Sequence, residues 1–393
     1  MHQGPLCGPW CILVKQYHAN PFLLSCQDCT SGKSRPNFVT QGSLHIKVIL
    51  RYVTLLYYLY CLMCRAALFI CLLLLAYRSG GQELFPMTEP ASNVPKGALG
   101  VRLFAESFNE VNRVRNLFAL KVMYGLTPRL TVIASPNVSN HHSKELPPDF
   151  PVHNTPQIGV DLPYLFNGVN LFAKYRFLSK DGANNHLRMA VYGEYGLLNV
   201  AHDEAEPGLF DDNSGLGAGL IATYLRRHFA VSFTGGYIHS FRYKGVVPDV
   251  IPSLPGVPAT VTYGAGYNYS LSFGYLVAPR VYKGYEQTNW NVYLEFLGKA
   301  YDKVNMQVGN IYYNSPQYTI STRDNRALQG SNYLEVYPGI QCIIRSTLRI
   351  DLSVGIPLIN RSYVHYYPVY NLGVQRYFYF RKHSLKGSSR NGR

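Results

Sequence analysis

Leu348-Arg349-Ile350-Asp351-Leu352-Ser353-Val354-Gly355-Ile356 is the stretch on which the fold turns. Its even positions are all aliphatic, and its odd positions carry Arg, Asp, Ser and Gly. Successive side chains of an extended chain point to opposite faces, so this is a strand with one oily and one polar side. Trp290 to Tyr301 repeats the pattern, with Trp290, Val292, Leu294 and Phe296 against Asn291, Glu295 and Lys299. In Leu187 to Leu197, Leu187, Met189, Val191 and Tyr195 oppose Arg188 and Glu194. Val261 to Val277 alternates as one run, with Tyr263, Tyr267, Tyr269, Leu271, Phe273 and Tyr275 on a single face.

Carried along the chain, the alternation predicts twelve strands, at 98–108, 114–124, 129–138, 168–178, 186–198, 215–225, 229–240, 261–277, 289–301, 331–345, 348–358 and 369–380. A membrane-crossing strand needs about 9–11 residues, whereas strands of soluble proteins average about 5–6. Short links such as Gly125-Leu126-Thr127-Pro128 and Arg226-Arg227-His228 alternate with long ones at 139–167, 199–214, 241–260 and 302–330. One rim of turns and one rim of loops is the pattern of a transmembrane barrel, and hydrocarbon forbids an open sheet edge. The expected fold is all-β: a closed antiparallel transmembrane β-barrel of about twelve strands over residues 98–380, with both sheet ends on the turn side. Its Tyr and Phe are expected to form aromatic girdles at the two water boundaries.

Composition agrees. Only 15% of residues are charged, against about 25% in an ordinary soluble protein, and Tyr numbers 33. The formal charge of +15 is concentrated at the ends. Residues 1–81 hold seven Lys/Arg and one acid, and 381–393 hold five Lys/Arg and no acid. The body between them has 25 basic and 21 acidic residues, with no basic stripe, which excludes nucleic acid as a partner. Seven of the eight Cys fall at or before Cys71, so the body carries no disulfide framework.

Upstream of the strands, Arg65 precedes an apolar run from Ala66 to Tyr77, followed by Ser79, Gly80 and Gly81. Positive start, oily middle and small-residue end are the layout of a secretory signal peptide, expected here as a helix at 63–81. Residues 1–62 then read as an extension upstream of the true start. Cys7-x3-Cys11 and Cys26-x2-Cys29 could pass for a zinc site, but their context is irregular and Pro-rich. Residues 82–97 read as a periplasmic lead-in, and 381–393 as a basic tail.

Tyr124-Gly125-Leu126-Thr127-Pro128-Arg129-Leu130-Thr131-Val132 resembles a strand–turn–strand unit of bacterial outer-membrane β-barrels, loosely those of the meta-pathway phenol-degradation and transporter type. Phe378-Tyr379-Phe380 resembles the aromatic C-terminal signal of that class, with Arg376 just before it and thirteen residues after it. The resemblance implies a Gram-negative outer membrane as the location. It implies outer-membrane lipid and the barrel-assembly machinery as partners, and small solutes as possible cargo.

The polar faces then line the lumen. Arg102, Arg115, Lys121, Lys174, Arg176, Arg188, Lys299, Arg345 and Arg349 supply nine cations there. Glu106, Glu194, Glu295, Glu335 and Asp351 supply five anions. Such a mixture either pairs across the interior and seals it or lines a wet path for solutes. The expected function is a passive channel or transporter, not an enzyme and with no cofactor. Two alternatives compete with it: a closed structural or adhesive barrel, and a lipid hydrolase in which His141 would activate Ser143. The loop cluster His202-Asp203-Glu204-Ala205-Glu206 with Asp211-Asp212 offers oxygen ligands but no EF-hand spacing, and reads as a solvated loop.

Overall fold

In the computed structural model, the described residues are 85–110, 112–141, 161–182, 184–199, 209–210, 213–247, 255–281, 286–312, 330–360 and 366–380. The signal-like stretch, both Cys pairs, Ser143, the His202–Asp212 cluster and the basic tail lie outside them.

The described residues form sixteen strands. They are β1 (Ala98–Glu110), β2 (Arg113–Gly125), β3 (Leu130–Ser139), β4 (Leu165–Asp181), β5 (Asn185–Leu198), β6 (Gly215–Arg226), β7 (Phe229–Ser240), β8 (Tyr243–Val247), β9 (Val257–Thr262), β10 (Ala265–Ala278), β11 (Asn289–Asp302), β12 (Asn305–Val308), β13 (Ile311–Tyr312), β14 (Gly330–Ile344), β15 (Leu348–Ile359) and β16 (Val369–Tyr379). Twelve of them close an antiparallel barrel. β1 meets β16 from Ala98 opposite Tyr379 to Ser107 opposite Tyr370, so no edge is left open. The other four, in the order β13-β12-β9-β8, make a small sheet beyond the long-loop rim, around Val247, Ala259, Val261, Tyr263, Val304 and Met306.

Burial is inverted relative to a soluble protein. Leu103 is 61% exposed while its neighbour Arg102 is 3% exposed; Leu352 is 49% exposed and Asp351 3%. Thr223 and Ser232 are buried, whereas Leu220 and Phe233 are not. A belt of exposed aliphatic side chains around a polar interior is stable only against hydrocarbon, so the barrel is transmembrane.

The aromatic residues divide between two places. Tyr124, Tyr175, Tyr224, Tyr275 and Trp290 are exposed on the outer face, near the short-turn ends of their strands. Others point inward, which the girdle expectation missed. Tyr293 lies over its cross-strand partner Gly339, Tyr192 over Gly219 and Tyr377 over Gly100. A Cβ added at Gly339 would sit 2.2 Å from the Tyr293 ring. These glycines clear a flat bed for large rings inside a narrow cylinder.

The run from Val261 to Val277 is not one strand. It breaks at Tyr263-Gly264: β9 pairs with β8 and β12 in the small sheet, and β10 returns to the barrel. A Cβ at Gly264 would meet the Asp302 side chain at 2.5 Å, so the chain passes close to β11 as it changes sheets.

Candidate functional site: a lumen crossed by its own chain

The lead-in does not hang from the rim. Lys96 bridges to Gly125 at the short-turn rim, and the chain N-terminal to it runs inside the barrel. The Met87 and Thr88 amides each donate to a Glu295 carboxylate oxygen at 2.9 Å, and the Thr88 hydroxyl adds a third bond at 2.7 Å. Thr88 Oγ1 also lies 2.8 Å from Ser272 Oγ. The Ala91 amide donates to Thr223 Oγ1 and the Val94 amide to Thr131 Oγ1. Arg102 donates to the Pro86 carbonyl, Lys174 to the Pro90 carbonyl and Arg188 to Ser92 Oγ. Lys121 lies 3.6 Å from Glu89. These partners stand on β1, β2, β3, β4, β5, β6, β10 and β11, on both sides of the cylinder. A thirteen-residue segment, 85–97, touches all of them only by crossing the lumen.

The local sequence explains why the segment is irregular. Pro86, Pro90 and Pro95 lack amide donors and cannot join a β-ladder. Its remaining amides and carbonyls must find partners once buried, and strand side chains supply them. Glu295, with no exposed surface, is aimed inward by the alternation of β11 and serves two consecutive amides.

The fourteen charged side chains proposed for the lumen fall into distinct groups. Lys174, Arg188 and Glu295 grip the segment directly. Arg102 also bonds Asp351 at 2.8 Å, and Arg349 reaches the other oxygen of Asp351 at 3.1 Å. Arg102, Glu106, Lys121, Glu194, Lys299 and Glu335 border a cavity of about 330 Å3 whose floor is Pro86 to Glu89. Apolar walls alternate with them: Phe104, Leu117, Ile133, Phe172 and Leu297. Glu335 accepts from the Tyr337 hydroxyl at 2.7 Å and from Tyr367. Arg115 pairs with Glu110 and donates to the Asn140 carbonyl near the long-loop rim. Arg176 donates to the Pro128 carbonyl at the opposite, short-turn rim. Arg345 stands apart. It opens the turn after β14 with φ of 50° and is exposed, because the chain leaves the sheet there and the two-residue alternation no longer fixes its direction.

Pattern reading missed Thr88, Glu89, Thr131, Thr223 and Ser272. The last three sit on polar strand faces, so their inward direction was available, but nothing in a strand pattern marks what they meet. His141 packs edge-on to Phe108, with ring centroids 6.1 Å apart.

Glu89 gives the segment a titratable tie. Burial alone would raise its carboxyl, but Lys174, Lys121 and Arg102 outweigh burial and hold it down at about 2, against an ordinary 4.5. A carboxyl whose folded value lies below its unfolded one stabilises fully above the unfolded value, and loses that contribution as pH falls towards the folded one. The tie is therefore complete at pH 7 and fades between 4.5 and about 2. Ion conductance in a planar bilayer is expected to be higher at pH 3 than at pH 7, reversibly. Glu89→Gln is expected to shrink that difference without abolishing it, because the segment is also held by the Glu295 carboxylate; equal wild-type conductance at both pH values would show that the tie does not hold the segment.

No protein-family model and no curated protein sequence matches the chain. Among solved structures, the barrel is similar to the COG4313 outer membrane channel from Pseudomonas putida F1, at 15% identity over 75% of this chain and 100% of that one, with a TM-score of 0.45. It is also similar to OprD of Pseudomonas aeruginosa, at 10% identity over 76% of this chain and 100% of that one, with a TM-score of 0.30. The toluene transporter TbuX of Ralstonia pickettii shares 11% identity over 72% of this chain and 88% of that one, with a TM-score of 0.25. These neighbours are bacterial outer-membrane β-barrels. The class that fold and lumen define here is a twelve-strand transmembrane β-barrel whose lumen is crossed by the segment preceding its first strand.

Proposed function

We propose that this chain is an outer-membrane channel for small solutes, held shut by residues 85–97 and opened when that segment is displaced. The observation that carries the reading is the bonding of one irregular segment to opposite walls of the lumen beneath a cavity. A purely structural barrel could fill its interior with its own side chains. Here the obstruction is a separate strand of chain, tied by hydrogen bonds and ion pairs that can be exchanged for water. The cavity's volume suits a small molecule, and its mixture of aromatic, aliphatic and charged walls suits one with both apolar and polar parts.

In this reading the short turns face the periplasm and the long loops face outside. The Phe378-Tyr379-Phe380 end is the segment offered to the barrel-assembly machinery. In planar bilayers the wild-type protein is expected to be closed for most of a recording, with brief openings. A steadily open pore would contradict the occluding role of the segment. Complete silence, even after the segment is loosened by substitution, would favour the closed structural barrel.

A further inference from the structure

In the sequence, the connections at the two ends of the barrel strands differ in charge. The five short connections, 126–129, 182–184, 227–228, 279–288 and 345–347, contain five basic residues and one acidic. The connections of the opposite rim, 111–112, 140–164, 199–214, 241–264, 303–329 and 360–368, contain seven basic and ten acidic. Arg129, Arg227, Arg280 and Arg345 of these turns are all exposed, as is Arg226 at the end of β6, and the four turns are spaced around the circumference. The fifth turn, after β4, lies among them: Asn184 accepts from the Arg227 amide, and Lys180 beside it is exposed. Described carboxylates on this rim are few. Asp181 is taken by His186 and Arg188, and Glu286 is the other.

Just inside this cationic ring stand exposed Tyr124, Tyr175, Tyr224, Phe229, Tyr275 and Trp290. Aromatic side chains of this kind settle at the boundary between hydrocarbon and headgroups. The arginines lie one to three residues beyond this band in strand register, where headgroups begin. We propose that the short-turn rim is a collar for anionic phospholipid headgroups, which binds lipid phosphate around the periplasmic mouth. Arg suits this task because its planar fork offers paired donors to phosphate oxygens. Each Lys or Arg near an anionic lipid surface contributes roughly a fivefold gain in binding.

The test uses the full-length purified barrel, incubated in detergent with equal amounts of phosphatidylglycerol and phosphatidylcholine, with retained lipids counted by native mass spectrometry. Wild type is expected to keep phosphatidylglycerol over phosphatidylcholine by at least about fivefold. A variant with Arg129, Arg226, Arg227, Arg280 and Arg345 all changed to Gln is expected to keep the two about equally. Arg113→Gln, Arg242→Gln and Lys244→Gln together, on the other rim, should leave the preference intact. Salt supplies a readout that does not depend on the variant folding: at 1 M, where the screening length falls to about 3 Å, the wild-type preference should vanish. Equal retention of both lipids by wild type would overturn the proposal. So would a preference that survives the five substitutions, or one that requires the long-loop cations.

Discussion

Replacing Glu295 by alanine is expected to turn a mostly closed barrel into a conducting one. The carboxylate accepts from two successive amides and one hydroxyl of the occluding segment, from a fully buried position on β11. Without it, the Met87 and Thr88 amides have no acceptor while the segment stays in place. Each orphaned buried donor costs about 1–3 kcal/mol, so the occluded state loses about 2–6 kcal/mol relative to the displaced one. At 1.4 kcal/mol per factor of ten, the population of displaced segment rises at least about 30-fold. Open time in planar bilayers should rise accordingly. Glu295→Gln keeps one carbonyl acceptor and should give a smaller increase. If Glu295→Ala folds and stays as closed as wild type, Glu295 is not the latch.

The second large effect is on stability. Asp351 accepts from Arg102 at 2.8 Å and from Arg349 at 3.1 Å, and all three side chains are no more than 5% exposed. Asp351→Ala leaves two cations facing each other with their shared anion gone. Breaking a buried pair in this way costs about 3–5 kcal/mol. Urea unfolding of the barrel in detergent, followed by tryptophan fluorescence, should show a loss of that size. Replacing all three residues with apolar side chains of similar volume should recover much of it, because no charge is then stranded. Arg102 also donates to the Pro86 carbonyl, so the triple variant should be more conductive than wild type while comparably stable. A loss below about 1 kcal/mol for Asp351→Ala would mean that the cluster is solvated.

The barrel was legible in the sequence because the bilayer imposes a two-residue period on every wall strand. Leu348 to Ile356 alternates without exception, and the structure pairs it on both sides as β15. The strands beyond the rim were not legible. β8, β12 and β13 are five residues or fewer, and outside the bilayer nothing forces alternation. For the same reason β9 merged with β10 in the reading: both alternate, and only the turn at Tyr263-Gly264 separates them. The occluding segment was the least legible part. Thr88-Glu89-Pro90-Ala91-Ser92 has no period, and its meaning lies in contacts 132 to 207 residues away, at Thr223, Ser272 and Glu295. Periodicity reports which face a side chain takes, not which distant backbone arrives there. Charge type told little more, since Arg102 braces a cluster, Lys174 ties a carbonyl and Arg345 lies exposed in a short turn, although all three read alike.

The placement of Thr88 inside the cylinder is the claim on which the functional reading rests, and a cross-link tests it most directly. Thr88 Oγ1 and Ser272 Oγ are 2.8 Å apart, although 184 residues separate them in sequence. In a background with all eight native cysteines replaced by serine, Thr88→Cys and Ser272→Cys should oxidise to a disulfide in the folded, membrane-embedded protein, change its non-reducing gel mobility, and keep the barrel closed until reductant is added. If instead both thiols stay reduced under oxidant and react freely with a water-soluble maleimide, the segment lies outside the lumen and the account is wrong.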